Sequence, residues 1–123
     1  KMNIEELMKL KNWVVIGDVS NDTKYANKIL NKFKLKGYMV SGVHPKGGKG
    51  IYTNLKEVPY NIEAIDLCIN AKYGIEFLKE AKELGIKNVL IQPGAESDEI
   101  LKYCKENSIN AIENCALIQL NHI

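Results

Sequence analysis

Between residues 13 and 25 the chain reads Trp-Val-Val-Ile-Gly-Asp-Val-Ser-Asn-Asp-Thr-Lys-Tyr, an apolar run that turns at a glycine into polar residues. The chemistry this spacing supports is the binding of an anion. Val14, Val15 and Ile16 are β-branched and bounded by a turn, which predicts a strand buried on both faces. Gly17 permits a tight exit from it. Ser20, Asn21, Asp22 and Thr23 are the residue types that cap the free N–H groups of a helix start. A strand, a tight turn and a helix N-terminus together aim backbone donors and a positive dipole end at a negative group.

Three further loops join this one if the flanking strands are parallel. They are Val43–Lys49, Asn70–Tyr73 and Gln92–Gly94, each following an apolar run. Their contents are small, amide or basic, with Asp18 and Asp22 of the first loop the only acids. Lys24, His44, Lys46 and Lys49 converge on one crevice in such an arrangement.

The elements that must position these loops follow from periodicity. Asn3 with Glu6 makes a capping box for a helix over 4–11, and the first strand occupies 13–17. Ala26, Ile29, Leu30 and Phe33 recur at three- and four-residue spacing, predicting a helix from Thr23 to Leu35 that Gly37 stops. A second strand runs from Tyr38 to Val43 and ends in a glycine-rich, basic loop expected to be mobile. Ile51–Leu55 reads as a short third strand, followed by one helical turn over 55–58 that Pro59 stops. A strand over 65–69 leads to a helix over 74–84, closed by Gly85. Another strand over 87–91, a helix capped by Ser97 and a last strand over 109–113 follow. The tail from Cys115 to Ile123 carries too mixed a pattern to assign.

Strands alternating with helices, through connections too long for hairpins, predict an α/β fold. The expected architecture is a Rossmann-like, doubly wound parallel sheet of five or six strands in three αβα layers, with order 3-2-1-4-5 and room for a sixth. At 123 residues the chain makes one domain, spanning 1–123, too short for a cofactor domain plus a substrate domain. Lys1, standing ahead of Met2, is set aside as an appended residue.

Composition narrows the function classes. A net charge of +2 and lysines scattered along helix faces argue against nucleic acid. No apolar run is long enough to cross a bilayer, so no membrane role is expected. Cys68, Cys104 and Cys115 are widely separated, without metal-ligand spacing, and fit a reducing cytoplasm. Cys68 and Cys104 fall inside apolar patterns and are expected in the core. Cys115 is either another buried apolar cysteine or a thiol able to meet a bound thiol. Tyr25 and Tyr52 are expected to pack rather than to stack on a base.

In a doubly wound sheet the ligand sits beyond the carboxyl ends of the strands, where strand order reverses. An NAD site places Asp or Glu at the end of the second strand; here His44-Pro45-Lys46 stands, which suits a phosphate on the ribose. The ligand expected is a phosphorylated adenosine, either the 3′-phospho-ADP end of coenzyme A or NADP. The first loop lacks G-x-G-x-x-G and keeps only Gly17, which counts against a dinucleotide.

The series Gly17-x-x-Ser20-Asn21, Lys24-Tyr25, Gly37-Tyr38-x-Val40, Val43-His44-Pro45-Lys46 and Val58-Pro59, continued by Asp66, Gln92-x-Gly94 and Cys115, resembles the small stand-alone CoA-binding domain proteins. That family is similar to the N-terminal CoA-binding domain of the succinyl-CoA ligase α-subunit, and the resemblance extends from Asn12 to Cys115. It implies that the loop holding Gly17, Val19, Ser20, Asn21, Lys24 and Tyr25 takes the pyrophosphate. It further implies that Val43, His44, Pro45 and Lys46 flank the adenine and its ribose phosphate. Asn70 and Ala71 would line the wall, with Gln92 and Gly94 nearer the pantetheine. His44 stands where the family often has Asn, Asn70-Ala71 where many members carry Arg and Pro, and Asn114 where Arg is common.

No catalytic set is expected. His44 and His122 are the only histidines, one in the proposed ligand loop and one at the terminus, which leaves no Ser–His–Asp or Cys–His arrangement. The ligase relatives use a phosphorylated histidine of a domain lacking here. Asp66, expected at a strand start, does not make a phosphoreceiver site. The expectation is a non-enzymatic, cytoplasmic module for CoA or acyl-CoA. An NADP-dependent oxidoreductase or redox-sensing subunit is the alternative, and a homodimer or a partner enzyme subunit stays open.

Overall fold

The computed structural model describes residues 1–123. The elements are α1 (Ile4–Leu7), β1 (Asn12–Ile16), α2 (Tyr25–Leu35), β2 (Met39–Val43), β3 (Ile51–Tyr52), a 3-10 turn (Leu55–Glu57) and β4 (Ala64–Leu67). They continue as α3 (Ala71–Glu83), β5 (Asn88–Ile91), α4 (Asp98–Glu106), β6 (Asn110–Glu113) and α5 (Ala116–Asn121). The six strands form one parallel sheet in the order β3-β2-β1-β4-β5-β6. The Rossmann-like α/β expectation, its strand order and its sixth strand are thus found. No helix is long and apolar enough to cross a membrane.

Alternation along the strands sorts the core into two layers. Val14 and Ile16 of β1, with Ile65, Leu67, Val89 and Ile91, face α3 and α4, where Leu78, Ala81, Ile100 and Cys104 meet them. Trp13 and Val15, with Ala64 and Leu90, face α1, α2 and α5 through Leu7, Ile29, Phe33 and Leu120. Each face is thus covered by helices, which a parallel sheet requires. The second layer is anchored by aromatic rings: Trp13 lies 4.8 Å from Phe33 by ring centroids, and Tyr38 meets Phe33 edge-on at 5.0 Å. The Trp13 indole N–H donates to the Leu10 carbonyl at 2.7 Å, so burial leaves it satisfied.

Element ends differ from the expected ones for local reasons. The first helix stops at Leu7 because the next residues wind into tight turns, with Lys9 N donating to Glu6 O and Leu10 N to Leu7 O. The second starts at Tyr25 rather than Thr23. Asn21 Oδ1 there accepts from both the N–H and the hydroxyl of Thr23, so it closes the loop on itself and caps no helix. The third helix starts at Ala71, earlier than expected, because the Asn70 side chain caps it by accepting from Tyr73 N. The unassigned tail forms α5, whose Ala116 and Leu120 are buried one turn apart.

Gly17 is required by close approach, not by a left-handed backbone. A Cβ there would stand 2.9 Å from the Cys68 carbonyl oxygen and 3.0 Å from the Ala26 Cβ. The bare backbone lets β4 and the start of α2 come together at the exit of β1. Gly17→Ala is expected to lower stability by about 1–3 kcal/mol through overpacking, measured by denaturant titration. Leu35→Ala, at a residue 76% exposed, should stay within about 0.5 kcal/mol of the parent.

Candidate functional site

The backbone ladder continues past the ends of the strands and sets the loops in line. Gly17 N donates to Val43 O at 3.0 Å, Cys68 N to Ile16 O at 2.8 Å, Gln92 N to Leu67 O at 3.0 Å and Asn114 N to Ile91 O at 3.1 Å. On the outer side His44 N donates to Tyr52 O at 2.9 Å. The loops carrying Gly17–Tyr25, His44–Lys46, Asn70–Ala71 and Gln92–Gly94 therefore leave the sheet side by side at its carboxyl end. From β1 the chain crosses to β2 on one side, and from β4 to β5 on the other. Strand order reverses between β1 and β4, where a doubly wound sheet takes its ligand.

The first loop is held rigidly but leaves its helix open. Val19, only 3% exposed, is buried against Gly42, where a Cβ would fall 2.6 Å from Val19 Cγ2. Asn27 of α2 donates its amide to the Val19 carbonyl at 2.8 Å. Helix α2 has Lys24 at its N-cap, no side-chain cap and no acid in its first turn, whereas α1, α3 and α4 are capped by Asn3, Asn70 and Ser97. The free N–H groups of α2 and its positive dipole end are thus unspent. Ser20, Lys24 and Tyr25 are exposed beside them, and Asp18 and Asp22 are exposed acids on the same loop. Tyr25 is 68% exposed, so it does not pack into the core as expected. Tyr52 does pack, half-buried against the first layer.

In the second loop Lys46 N donates to His44 Nδ1 at 3.1 Å, which leaves Nε2 as that ring's donor. Lys46 and Pro45 are exposed and Val43 is buried beneath them. The structure contains a single ion pair, Lys79 with Glu76. Lys24, Lys46 and Lys49 therefore make no ion pair.

Asn70, expected in the wall, and Gln92, expected nearer the pantetheine, are both engaged internally. Asn70 uses its side-chain oxygen as the α3 cap. Gln92 is 5% exposed and donates from Nε2 to Asp66 Oδ1 at 2.5 Å, while its Oε1 accepts from Ala116 N at 3.3 Å. Gly94, at φ +93°, donates its N–H to Glu96 Oε1 at 3.1 Å, placing an acid beside the site that the loop sequence did not show.

The residue that sequence reasoning undervalued is Asp66. It lies in the third position of β4 rather than at a strand start, is wholly buried, and keeps Oδ2 without a partner. Burial pushes its carboxyl up to about 8, against the opposing bond from Gln92. Cys68, on the same face two residues on, is half-buried rather than fully in the core, and burial, Asp66 and Cys115 raise its thiol to about 12. Cys115 is likewise half-buried, and Cys104 is in the core as expected. The sequence signal was an acid inside an apolar strand pattern.

Larger hollows lie elsewhere. A cavity of 630 Å³ bordered by Lys87, Leu101, Cys104 and Asn110, and another of 580 Å³ bordered by Met8, Lys11, Tyr38 and His122, sit at the amino ends of the strands. A cleft of 230 Å³ between Pro45 and the α3 residues Tyr73, Glu76, Phe77 and Glu80 flanks the candidate site.

A family model for the CoA binding domain matches residues 11–121. The chain belongs to this family. A conserved hypothetical protein from Pyrococcus furiosus is similar to it, with 30% identity, a TM-score of 0.81, and coverage of 89% of this chain and 99% of that one. A hypothetical protein from Pyrococcus horikoshii OT3 has the same fold at 24% identity and a TM-score of 0.85, covering 96% and 86% of the two chains. A Thermus thermophilus protein shares it at 19% identity and a TM-score of 0.82, covering 98% of each. None of the curated proteins matches the chain.

Within this CoA-binding domain, buried Asp66 makes stability depend on pH. Its folded-state carboxyl titrates near 8 and its ordinary value is 3.8, so between these limits the folded state holds the extra proton. Stability is therefore full below about pH 4 and falls as pH rises towards 8, by at most about 1.4 kcal/mol per pH unit. Asp66→Asn, which cannot ionise, should flatten this slope and melt higher than the parent at pH 8. Thermal denaturation between pH 5 and pH 8 checks it.

Proposed function

We propose that this domain binds coenzyme A or an acyl-CoA at the carboxyl ends of its strands and catalyses no reaction of its own. The observation that carries the reading is the open N-terminus of α2, lying at the reversal of strand order and fed by a loop locked in place. A pyrophosphate there receives backbone N–H groups and a positive dipole end. Gly17, Val19, Ser20, Asn21, Lys24 and Tyr25 form this cradle in the proposal. Val43, His44, Pro45 and Lys46 take the adenosine and its 3′-phosphate, with Lys46 and the Nε2 donor of His44 as the charge-complementary pair. Ala71, Gly94 and the backbones of Asn70 and Gln92 border the path of the pantetheine. Family membership supports the ligand class, and the lone glycine of the first loop favours CoA over NADP.

A thermal-shift series with CoA, dephospho-CoA, NADP and NAD tests this. Ligand at about 100 times its Kd adds about 2.7 kcal/mol of stability, which raises the melting point by several degrees. CoA should give that shift and dephospho-CoA a smaller one. Lys46 is exposed and its contact is screened, so Lys46→Ala should weaken CoA by about 1 kcal/mol, roughly five-fold in Kd, and leave dephospho-CoA unchanged. A shift with NADP alone would replace CoA by the redox alternative, and no shift with any of the four would refute both.

A further inference from the structure

We propose that this chain pairs with a second copy of itself through the free edge of β6. The two β6 strands run antiparallel about a two-fold axis, and Glu113 of each copy stands at the lysine-lined hollow of the other. The inference goes beyond ligand binding and does not depend on which nucleotide binds.

Strand β6 is the last of the sheet, and it is bonded along one side only. Asn110 N donates to Lys87 O at 2.7 Å and Asn114 N to Ile91 O at 3.1 Å. Along a parallel ladder alternate residues turn both N–H and C=O to the same neighbour. Asn110, Ile112 and Asn114 therefore serve β5, whereas Ala111 and Glu113 direct their main-chain groups away from the sheet. Little guards that edge against pairing. The strand reads Asn-Ala-Ile-Glu, without proline or lysine, and keeps register with β5 residue by residue, without a bulge. Its one charge is the exposed Glu113.

Charge selects a second copy as the occupant. A two-fold axis through Ile112 matches the edge to itself. Ala111 and the partner's Glu113 exchange both N–H···O bonds, and Glu113 and the partner's Ala111 do the same. Ile112 meets the partner's Ile112 at the axis, in the closer, non-hydrogen-bonded kind of pair. It is half-buried against the second layer, so that layer runs on across the axis. Residues directly opposed in an antiparallel pair share a face, so the partner's Glu113 lies on the side of Ala111, which packs on the first layer. Ala111 borders the 630 Å³ cavity together with Lys87, Leu101 and Lys105, and no acid lines that cavity. The single ion pair is Lys79 with Glu76, so Lys87, Lys105 and Glu113 have no ionic partner within one copy. The antiparallel direction brings the unpaired carboxylate at the carboxyl end of one β6 to the unpaired lysines at the amino end of the other, twice over. So short an edge makes a reversible dimer at the weak end of specific interfaces.

Sedimentation velocity of the full chain over a concentration series reaching about 1 mM, with amide hydrogen exchange at both ends of the series, tests the pairing. The parent should pass from monomer to dimer as concentration rises, and high salt should shift it back. Exchange at the Ala111 and Glu113 amides should slow about five-fold or more in the concentrated sample, while Ile112, bonded within its own copy, stays protected in both. Glu113→Lys, which loses both ion pairs and sets like charges together, should weaken the dimer about ten-fold. Combining it with Lys87→Glu and Lys105→Glu should restore the association. Ala111→Pro, which removes an outward N–H and none that β5 uses, should abolish the dimer and keep the parent's circular dichroism. A monomer at every concentration, a dimer as tight in Glu113→Lys as in the parent, or exchange at Ala111 and Glu113 that ignores concentration would overturn the proposal. Such a failure leaves CoA binding untouched, because the edge of β6 takes no part in the proposed ligand site.

Discussion

Strand β1 runs through the middle of the sheet, buried on both faces, and leaves it at a position where only a hydrogen fits. A methyl group at Gly17 would stand 2.9 Å from the Cys68 carbonyl. That close approach lets Gly17 N and Cys68 N extend the ladder beyond the strands, to Val43 O and Ile16 O. It also brings the start of α2 against the exits of β1 and β4. The neighbouring Gly42 repeats the device, leaving the space that Val19 fills. The helix N-terminus therefore stands where the packing of two bare backbones puts it. An anion site built in this way needs no arginine, since its donors are main-chain groups fixed by the core.

The same end of the sheet carries an electrostatic cost. A fully buried carboxyl between Val15 and Leu90 in register has one amide for company. Desolvation outweighs that single bond, so the carboxyl holds its proton well above the usual carboxylate range. Gln92 pays for part of this by satisfying one oxygen and, through Ala116, by tying α5 to the sheet.

Much of the fold was legible because β-branched runs and three–four spacing are separate periodic signals. The parallel sheet followed from alternation and long connections, its order from the Rossmann-like architecture they implied, and the loops could be gathered from that order. Element ends were less legible, for reasons visible in single residues. Asn21 is a good cap by type but bonds Thr23 instead, and Asn70 caps a helix that apolar spacing alone placed three residues later. Gln92 looks like a ligand-facing amide in sequence, yet both its polar ends are used internally, because nothing local reveals that Asp66 lies one strand away. Six residues with two buried positions carried too little pattern to reveal α5. The exposed Tyr25 shows the converse, an aromatic whose type favours packing but whose position on the rim forbids it.

The central claim is that the ligand occupies the carboxyl end of the sheet and takes its phosphates on the open start of α2. Amide chemical-shift mapping of labelled protein titrated with CoA tests it directly. The account predicts the largest shifts at the amides of Val19–Asn27, His44, Lys46 and Gly94, with Lys87, Ser108 and Ile109 unmoved. Shifts confined to those last three residues, around the 630 Å³ cavity at the opposite end, would contradict it.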